Sequence, residues 1–315
     1  MSYSKIVLDV NNIYHRAHYV GSNLTHTLSN GERIATGGIY NSLRMINRIV
    51  KEFGEDYTTV YCLFDNSDSR QTKRKDIDPE YKANRDKKEH AFYKALNILH
   101  LILLSYDDRF ISIQVPEHEA DDIVKTVVDM KTKYEYMLLV SQDMDWAREI
   151  SEKVHWARYE DTYDVYDPDR FKAQYGFEPS REKVTLYKAL DGDASDNIER
   201  PVYGLRKDVI ERLVQDFDTV DDLIYSLKSL SYLSDKWKDK IKEALARIKL
   251  NYDLINYSDL TREDVEDNLV EGSFKPKKLQ SLYESLGFDI AKIDKRIVKD
   301  NKSENFFQFD RIDRP

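Results

Sequence analysis

Cysteine is nearly missing from this chain: 315 residues hold one, Cys62. No internal disulfide can form, which excludes a covalently stapled scaffold. The lone thiol lies within Val60-Tyr61-Cys62-Leu63-Phe64 and is expected as a buried strand residue in a reducing compartment. Long apolar runs are also missing. The longest, Leu96 to Leu104, is broken by Asn97 and His100 and falls short of the roughly 20 residues that cross a bilayer. No basic segment followed by an apolar core stands at the N-terminus, so no signal peptide is expected. The expectation is a cytoplasmic protein with no membrane partner. His15, His18, His90, His100, His118 and His155 are scattered without metal-ligand spacing, so a Cys/His zinc site is not expected. Neither an internal repeat nor a low-complexity linker is visible.

Positive charge is in deficit. The formal net charge is −9, which taken bluntly argues against a nucleic-acid partner. The distribution points the other way. Residues 70–88 carry eight Lys and Arg against four Asp and Glu, a basic segment inside an acidic chain. The nine acids assigned below to one cluster account for the whole negative excess. An acidic pit beside a basic segment suits a metal site that works on a polyanion.

What remains is a polar, foldable chain, 41% hydrophobic and 34% charged, long enough for one large domain or two. Lys5-Ile6-Val7-Leu8 reads as a buried strand ending at Asp9, and Thr59 to Phe64 as a second ending at Asp65. Phe110 to Val115 is a third. Tyr136 to Val140 is a fourth, running into Ser141-Gln142-Asp143-Met144-Asp145. Helical periodicity follows Gly37-Gly38 up to Gly54, spans Ala91 to Ser105, and resumes after Asp122. Strands alternating with helices predict an α/β fold with a mostly parallel central sheet flanked by helices. His155 to Tyr166 reads as a hairpin around Glu160-Asp161. Asp167-Pro168 opens a helix ended by Gly176, and Ser180 opens another through Leu190. From about Val202 only helices are expected, at 205–217, 219–230, 235–249 and 275–286. The expected domains are 1–200, with a charged arch at 66–90, a helical domain at 201–300, and a tail at 301–315.

Glu117 to Asp122 reads E-H-E-A-D-D, four carboxylates in six residues. An acidic first helical turn explains this as well as a ligand set does, because the helix N-terminus favours Asp and Glu. In parallel α/β sheets ligands bind beyond the carboxyl ends of the strands, where Asp9, Asp65 and Asp143 are expected. A single acid there reads as a helix cap. Three of them, with Glu119 and Asp122 on one helix face, read as a cation site. The donors are all carboxylates, which favours Mg²⁺ or Mn²⁺.

With these pieces in order, the chain resembles the 5′ nuclease family over roughly residues 4–200. This family includes flap endonucleases, the 5′→3′ exonuclease domain of bacterial DNA polymerase I and bacteriophage ribonuclease H enzymes. Asp9, Asn12 and Arg16 are similar to its first motif, and Phe64-Asp65 to its strand-final F-D. Arg74, Tyr81-Lys82 and Arg85 resemble its basic R…YKxxR segment. Glu119-Ala120-Asp121-Asp122 matches E-A-D-D. Ser141, Asp143 and Asp145 match S-x-D-x-D. Gly192-Asp193 and Asp196-Asn197 match G-D-x-x-D-N. The basic 66–90 segment and the overall size look most like the phage members. One departure follows: the family's Gly-rich helix-hairpin-helix is here Glu199 to Lys207, in which only Gly204 survives. Duplex contact is then expected from Arg206 and Lys207, and the family's monovalent cation site is in question.

The resemblance implies hydrolysis by two divalent ions roughly 4 Å apart, Mg²⁺ with Mn²⁺ able to substitute. Asp9, Asp65, Glu119, Asp121 and Asp122 would hold the first, and Asp143, Asp145, Asp193 and Asp196 the second. Lys82 and Arg85 would meet the scissile phosphate, with Arg16 and Arg74 as second choices. Tyr81 would stack on an unpaired base, with Asn12 also on the substrate side. The implied partners are DNA and RNA–DNA hybrids with 5′ ends or flaps, a sliding clamp docked through Phe306 to Phe309, and a single-stranded-DNA-binding protein. The implied task is removal of RNA primers and flaps in phage replication, by a monomer in the host cytoplasm. A PIN-type ribonuclease and a non-catalytic clamp-docking factor are the competing readings.

Overall fold

The computed structural model describes residues 2–66, 74–85, 90–159, 162–256, 259–289 and 293–298. In chain order the elements are β1 (Lys5–Asp9), α1 (Val10–Gly21), β2 (His26–Thr27), β3 (Arg33–Ile34), α2 (Thr36–Phe53), β4 (Thr59–Leu63), α3 (Arg74–Ile77), α4 (His90–Tyr106) and β5 (Phe110–Ile113). They continue with α5 (Ala120–Asp129), β6 (Met137–Val140), β7 (Val154–Tyr159), β8 (Tyr163–Tyr166), α6 (Pro168–Tyr175), α7 (Arg181–Asp191), α8 (Lys207–Asp216) and α9 (Val220–Ser226). The last are α10 (Asp235–Glu243), α11 (Leu245–Asn256), α12 (Arg262–Asp267), β9 (Leu269–Glu271), α13 (Pro276–Ser285) and α14 (Lys295–Val298). The fold is α/β, a mostly parallel sheet flanked by helices, as the strand–helix alternation predicts.

Two compact units make up the chain, one of residues 1–64, 87–114 and 266–315, the other of residues 65–86 and 115–265. They do not divide at residue 200. In the first unit β1, β4 and β5 run parallel, with Leu8 opposite Cys62 and Cys62 opposite Ser112. Most of their apolar residues are buried (Ile6, Val7, Leu8, Val60, Leu63 and Ile113 all at 0%), which is why these strands read as continuous runs. Cys62 is buried as expected. Asp9 ends β1 and caps α1 by accepting the Asn12 N–H at 3.0 Å. In the first turn of α2, a Cβ on Gly37 would lie 2.2 Å from the Gly21 carbonyl oxygen. The glycine pair therefore serves close packing of α1 on α2.

The second unit pairs β6 parallel to β7, and β7 antiparallel to β8. The hairpin forms as expected, although its turn residues lie outside the described ones. α6 starts at a capping Asp167 and stops at Gly176, whose φ is +83°. α7 starts at a capping Ser180. α7 and α11 carry the core of the C-terminal half, where Leu254 and Ile255 meet Ala189 and Ile198.

Two expectations fail. The helix predicted over 235–249 breaks at Ala244, because α10 buries only Ile241 whereas α11 buries Ile248, Asn251, Leu254 and Ile255. A strand also occurs where only helices were expected: β9 pairs antiparallel with β5 in the first unit. Three residues, none of them buried, leave no periodicity to detect.

Candidate active site

The stretch Glu117 to Asp122 is both of the things its sequence allowed. Glu119 is the N-cap of α5, and its N–H donates to Asp122 Oδ2 at 3.0 Å, so the acids do stabilise a helix start. Glu117 lies outside the helix, exposed, in a left-handed conformation with φ +63°. The same helix start also takes a carboxylate from elsewhere, since the Ala120 N–H donates to Asp65 Oδ1 at 2.9 Å. An acid at this position gains from the helix dipole and an orphan N–H at once.

Asp121 points from the first turn of α5 toward the loop after β6. There Asp143 caps a short 3-10 turn by accepting the Asp145 N–H at 2.9 Å, and the Ser141 hydroxyl accepts the Asp143 N–H at 3.0 Å. The Trp146 indole N–H donates to Asp121 Oδ1 at 2.7 Å. One carboxylate oxygen from each of Asp121, Asp143 and Asp145 lies within 4.8 Å of the others. Burial, followed by the charges of Asp143 and Asp145, pushes Asp121 well above the usual carboxylate range. Burial also raises Asp143 despite Lys188 beside it, with Asp145 adding to the rise. Asp145 goes the other way: burial opposes ionisation, but Lys188 and Arg148 outweigh it and lower its pKa. Its buried Oδ1 makes no hydrogen bond of good geometry, although Lys188 Nζ stands 2.7 Å away. Asp121 and Asp143, half-buried, and Asp145, buried, crowd like charges that the protein cation beside Asp143 and Asp145 offsets only in part. The donors are hard oxygens only, so the set fits a divalent ion of the Mg²⁺ or Mn²⁺ kind.

Lys188 belongs to the site and was not singled out from the sequence. It sits on α7 at 5% exposure. Its Nζ lies 2.7 Å from Asp145 Oδ1, 2.8 Å from Asp193 Oδ2 and 3.6 Å from Asp143 Oδ1. Burial opposes its charge, but the acids around it raise its pKa well above that of an ordinary lysine. The only sequence signal is a lysine inside the apolar run Val184 to Leu190. The turn after α7 holds Asp193 and Asp196 in place. It needs Gly192, because a Cβ there would meet the Arg200 nitrogen at 2.7 Å and φ is +81°.

The described part of the basic segment, 74–85, lies against this turn. The Lys82 N–H donates to the Asp196 carbonyl at 2.8 Å, the Asn84 side chain to the Ala194 carbonyl at 2.9 Å and the Asn197 side chain to the Glu80 carbonyl at 2.8 Å. These bonds hold Lys82 at φ +55°, a conformation that costs a non-glycine residue on the order of 1 kcal/mol. Lys82 Nζ reaches Glu119 Oε2 at 2.6 Å and Asp196 Oδ2 at 3.6 Å. Arg85, half-exposed, reaches Asp196 Oδ1 at 2.5 Å. Burial would raise the Asp196 pKa, yet Lys82, Arg85 and Lys188 hold it down to about 2. Asp65 is raised by burial first and by Glu119 second.

Two roles implied by the resemblance do not survive the geometry. Tyr81 was expected to stack on a base, but its ring is 4% exposed, in the cluster with Ala189, Ile198, Leu254 and Ile255. Its hydroxyl shares its one proton between Glu119 Oε2 and Asp196 Oδ2, at 3.2 and 3.1 Å. It is a strut between two acids. Arg74 was a second choice for the phosphate, but it is buried and grips Asp122 through two bonds of 2.7 and 3.1 Å. Its Nε donates to the Leu254 carbonyl at 2.9 Å. Asp122 is thereby committed to Arg74 and to the Glu119 N–H, and its ligand role gives way to a supporting one.

Glu119, Asp121, Asp143, Asp145, Asp193 and Asp196, with Asp65 at the start of α5, thus share the second unit with Lys82, Arg85 and Lys188. Asp9, Asn12 and Arg16 belong to β1 and α1 of the first unit. Arg206 and Lys207 stand at the N-terminus of α8 with exposed side chains, Arg206 paired with Asp208. His118, which has no expected role, bonds Asp259 at 3.0 Å and the Pro116 carbonyl at 2.7 Å. Phe306 to Phe309 lie outside the described residues. No described helix is long and apolar enough to cross a membrane.

Comparison with known proteins bears on this geometry. Residues 4–176 match the model of the 5′-3′ exonuclease N-terminal, resolvase-like domain. A 5′-3′ exonuclease of Mycoplasmopsis pulmonis is 24% identical over 238 residues, covering 76% of this chain and 75% of the relative. Among solved structures, the T5 D15 protein co-crystallised with metal ions superposes with a TM-score of 0.64 at 18% identity, covering 89% of this chain and 98% of the other. A complex of the bacteriophage T5 D15 flap endonuclease with DNA and metal ions gives 0.59 at 18% identity, covering 90% and 99%.

Proposed function

The chain belongs to the 5′-3′ exonuclease family, and we propose that it is a divalent-metal-dependent 5′ nuclease acting on free 5′ ends and flaps of DNA and of RNA–DNA hybrids. One observation carries this reading: the mutually repelling carboxylates of Asp121, Asp143 and Asp145, half-buried to buried, gathered from two separate segments within 4.8 Å. Such a cluster destabilises a fold unless a cation is part of its working state. The names of the relative and of the fold neighbours, an exonuclease and a flap endonuclease with DNA and metal ions, support the same direction.

The roles follow from the geometry. Asp121, Asp143 and Asp145 hold the metal, with Asp65, Glu119, Asp193 and Asp196 completing the acidic surround within the second unit. A bound divalent ion would polarise the phosphate and lower the pKa of an attacking water. Hydrolysis then joins the water oxygen to phosphorus and breaks the bond to the 3′ oxygen, leaving a 5′-phosphorylated product. Lys82 and Arg85 neutralise the phosphate charge. Their cationic groups already stand at Glu119 and Asp196; burial opposes the Lys82 charge, but these acids outweigh it and keep Lys82 protonated. Lys82 therefore acts as a fixed charge and not as a base. Arg74 and Tyr81 fix Asp122, Glu119 and Asp196 in position. Arg206 and Lys207 present exposed positive charge suited to duplex phosphates.

Removal of RNA primers and 5′ flaps during phage DNA replication, with Mg²⁺ as the ion, is the biological role that fits this chemistry. The test is cleavage of a 5′-labelled DNA flap, a 5′-labelled RNA–DNA hybrid and a plain single-stranded RNA, each with Mg²⁺ and with chelator. Mg²⁺-dependent release of short 5′ products from the first two is expected. Preference for the single-stranded RNA would overturn the reading in favour of a PIN-type ribonuclease.

A further inference from the structure

The acids divide unevenly once their protein partners are counted. Among the described residues, the side chain of Asp121 receives only the neutral indole N–H of Trp146. Asp143, Asp145 and Asp193 surround one ammonium group, Lys188 Nζ, at 3.6, 2.7 and 2.8 Å. Asp196 is held by Lys82, Arg85 and the Tyr81 hydroxyl. All four acids expected to hold a second metal ion already face protein cations, and of the first set Glu119 and Asp122 do so too, through Lys82 and Arg74, which leaves Asp121 as the acid of the cluster with a neutral partner. A lysine ammonium is a compact charge of the kind a small metal ion would replace. At 5% exposure on α7, it has no other partner of opposite charge within bonding distance among the described residues.

We propose that Lys188 is a built-in counter-cation occupying the second half of the acid cluster, so that the protein without nucleic acid binds a single divalent ion tightly. The proposal rests on the metal-centre reading given above. Lys188 is a positioning residue: it gathers Asp143, Asp145 and Asp193 around one point and repels a second dication from that point. Two acids of the trio, Asp143 and Asp145, remain available to the ion at Asp121, and Asp193 is left to Lys188. A lysine stem is flexible enough to swing away, so a second ion enters only against the ammonium charge.

The test counts Mn²⁺ bound to the full chain in the absence of nucleic acid, by electron paramagnetic resonance of the free ion, for wild type, Lys188→Met and Lys188→Arg. Wild type is expected to bind one ion tightly. Lys188→Met is expected to bind two, the second at least about tenfold more tightly than any second ion in wild type, because a neighbouring positive charge has gone. Lys188→Arg keeps the charge and is expected to return to one. A merely structural lysine would change stability without changing the ion count. If Lys188→Met does not fold without metal, millimolar Mn²⁺ is expected to restore folding by replacing the lost charge, and failure to restore it would overturn the proposal. Equal stoichiometry and affinity in wild type and Lys188→Met, or two tightly bound ions in wild type, would overturn it while leaving the metal centre standing. Binding of no ion by any of the three would overturn the metal centre as well.

Discussion

Replacing Arg74 with methionine should unfold the protein before it harms substrate binding. The guanidinium lies between two buried carboxylates, with bonds of 2.7 and 3.1 Å to Asp122 and a contact of 3.5 Å to Glu119. Side-chain exposure is 5% for Arg74 and 4% for Asp122. Removing one member of such a pair strands a charge out of water, which costs about 3–5 kcal/mol. Replacing both members, as Arg74→Met with Asp122→Leu, leaves no stranded charge at that pair. The remaining loss is the Glu119 N–H acceptor and the Leu254 carbonyl donor, about 1–3 kcal/mol for each group left unpaired. Urea denaturation of the two single variants, the double variant and wild type, closed as a double-mutant cycle, measures the difference. The KM for a flap substrate, measured on the folded fraction, should be nearly unchanged in Arg74→Met. A variant within about 1 kcal/mol of wild type but with a strongly raised KM would refute the assignment and restore Arg74 to the phosphate.

Other outcomes follow from the same geometry. Divalent ions should raise the melting temperature of wild type, since an ion at 100 times its dissociation constant adds about 2.7 kcal/mol; calorimetry with and without Mn²⁺ checks this, and an unchanged curve would count against the trio. Asp121→Asn should abolish most of that rise. Because the folded-state pKa of Asp121 is raised, its ionisation costs stability above the unfolded pKa, so the metal-free Asn variant should be at least as stable as wild type at neutral pH. His100, a residue of the first unit, gives a pH signature. It is stacked on Phe64 at 4.3 Å and bonded to Ser112 at 2.6 Å, and burial lowers its pKa to about 4. The unfolded chain takes up that proton near pH 6.5 and the folded one near 4, so stability is full above 6.5 and falls as pH drops between the two. About 2 kcal/mol should be lost from pH 7.5 to 5, and urea midpoints of His100→Gln should lack this component.

The acids were legible because each leaves a local trace. Asp9 follows a buried apolar strand, Asp143 follows another, and Glu119 to Asp122 open an amphipathic helix. The caps expected of them are real, and they are also what aims them: Asp143 accepts the Asp145 N–H and stands beside Asp121 and Asp145. The cations were harder to sort. Arg74, Lys82 and Arg85 lie in one basic run and look alike in sequence, but only folding against α11 decides that Arg74 meets the Leu254 carbonyl deep inside while Arg85 stays half-exposed. Tyr81 misled for the same reason, since an aromatic among charges reads as a stacking platform until the apolar residues that cover it are known. Lys188 left only one trace, a lysine inside the apolar run Val184 to Leu190, which does not name its partners. Its partners Asp143 and Asp145 lie more than forty positions earlier in the chain, and helical periodicity marks its position as core. β9 escaped because three half-exposed residues carry no pattern, and its pairing with β5 is set by tertiary contact alone.

The central claim is that Asp121, Asp143 and Asp145 form a metal centre that cuts nucleic acid. Single-turnover cleavage of a 5′-labelled DNA flap in Mg²⁺ by wild type and by Asp143→Asn, with folding of both verified by circular dichroism, tests it most directly. Wild type is expected to cut, and the variant to be slower by about two orders of magnitude or more. Equal rates in the two proteins would contradict the account.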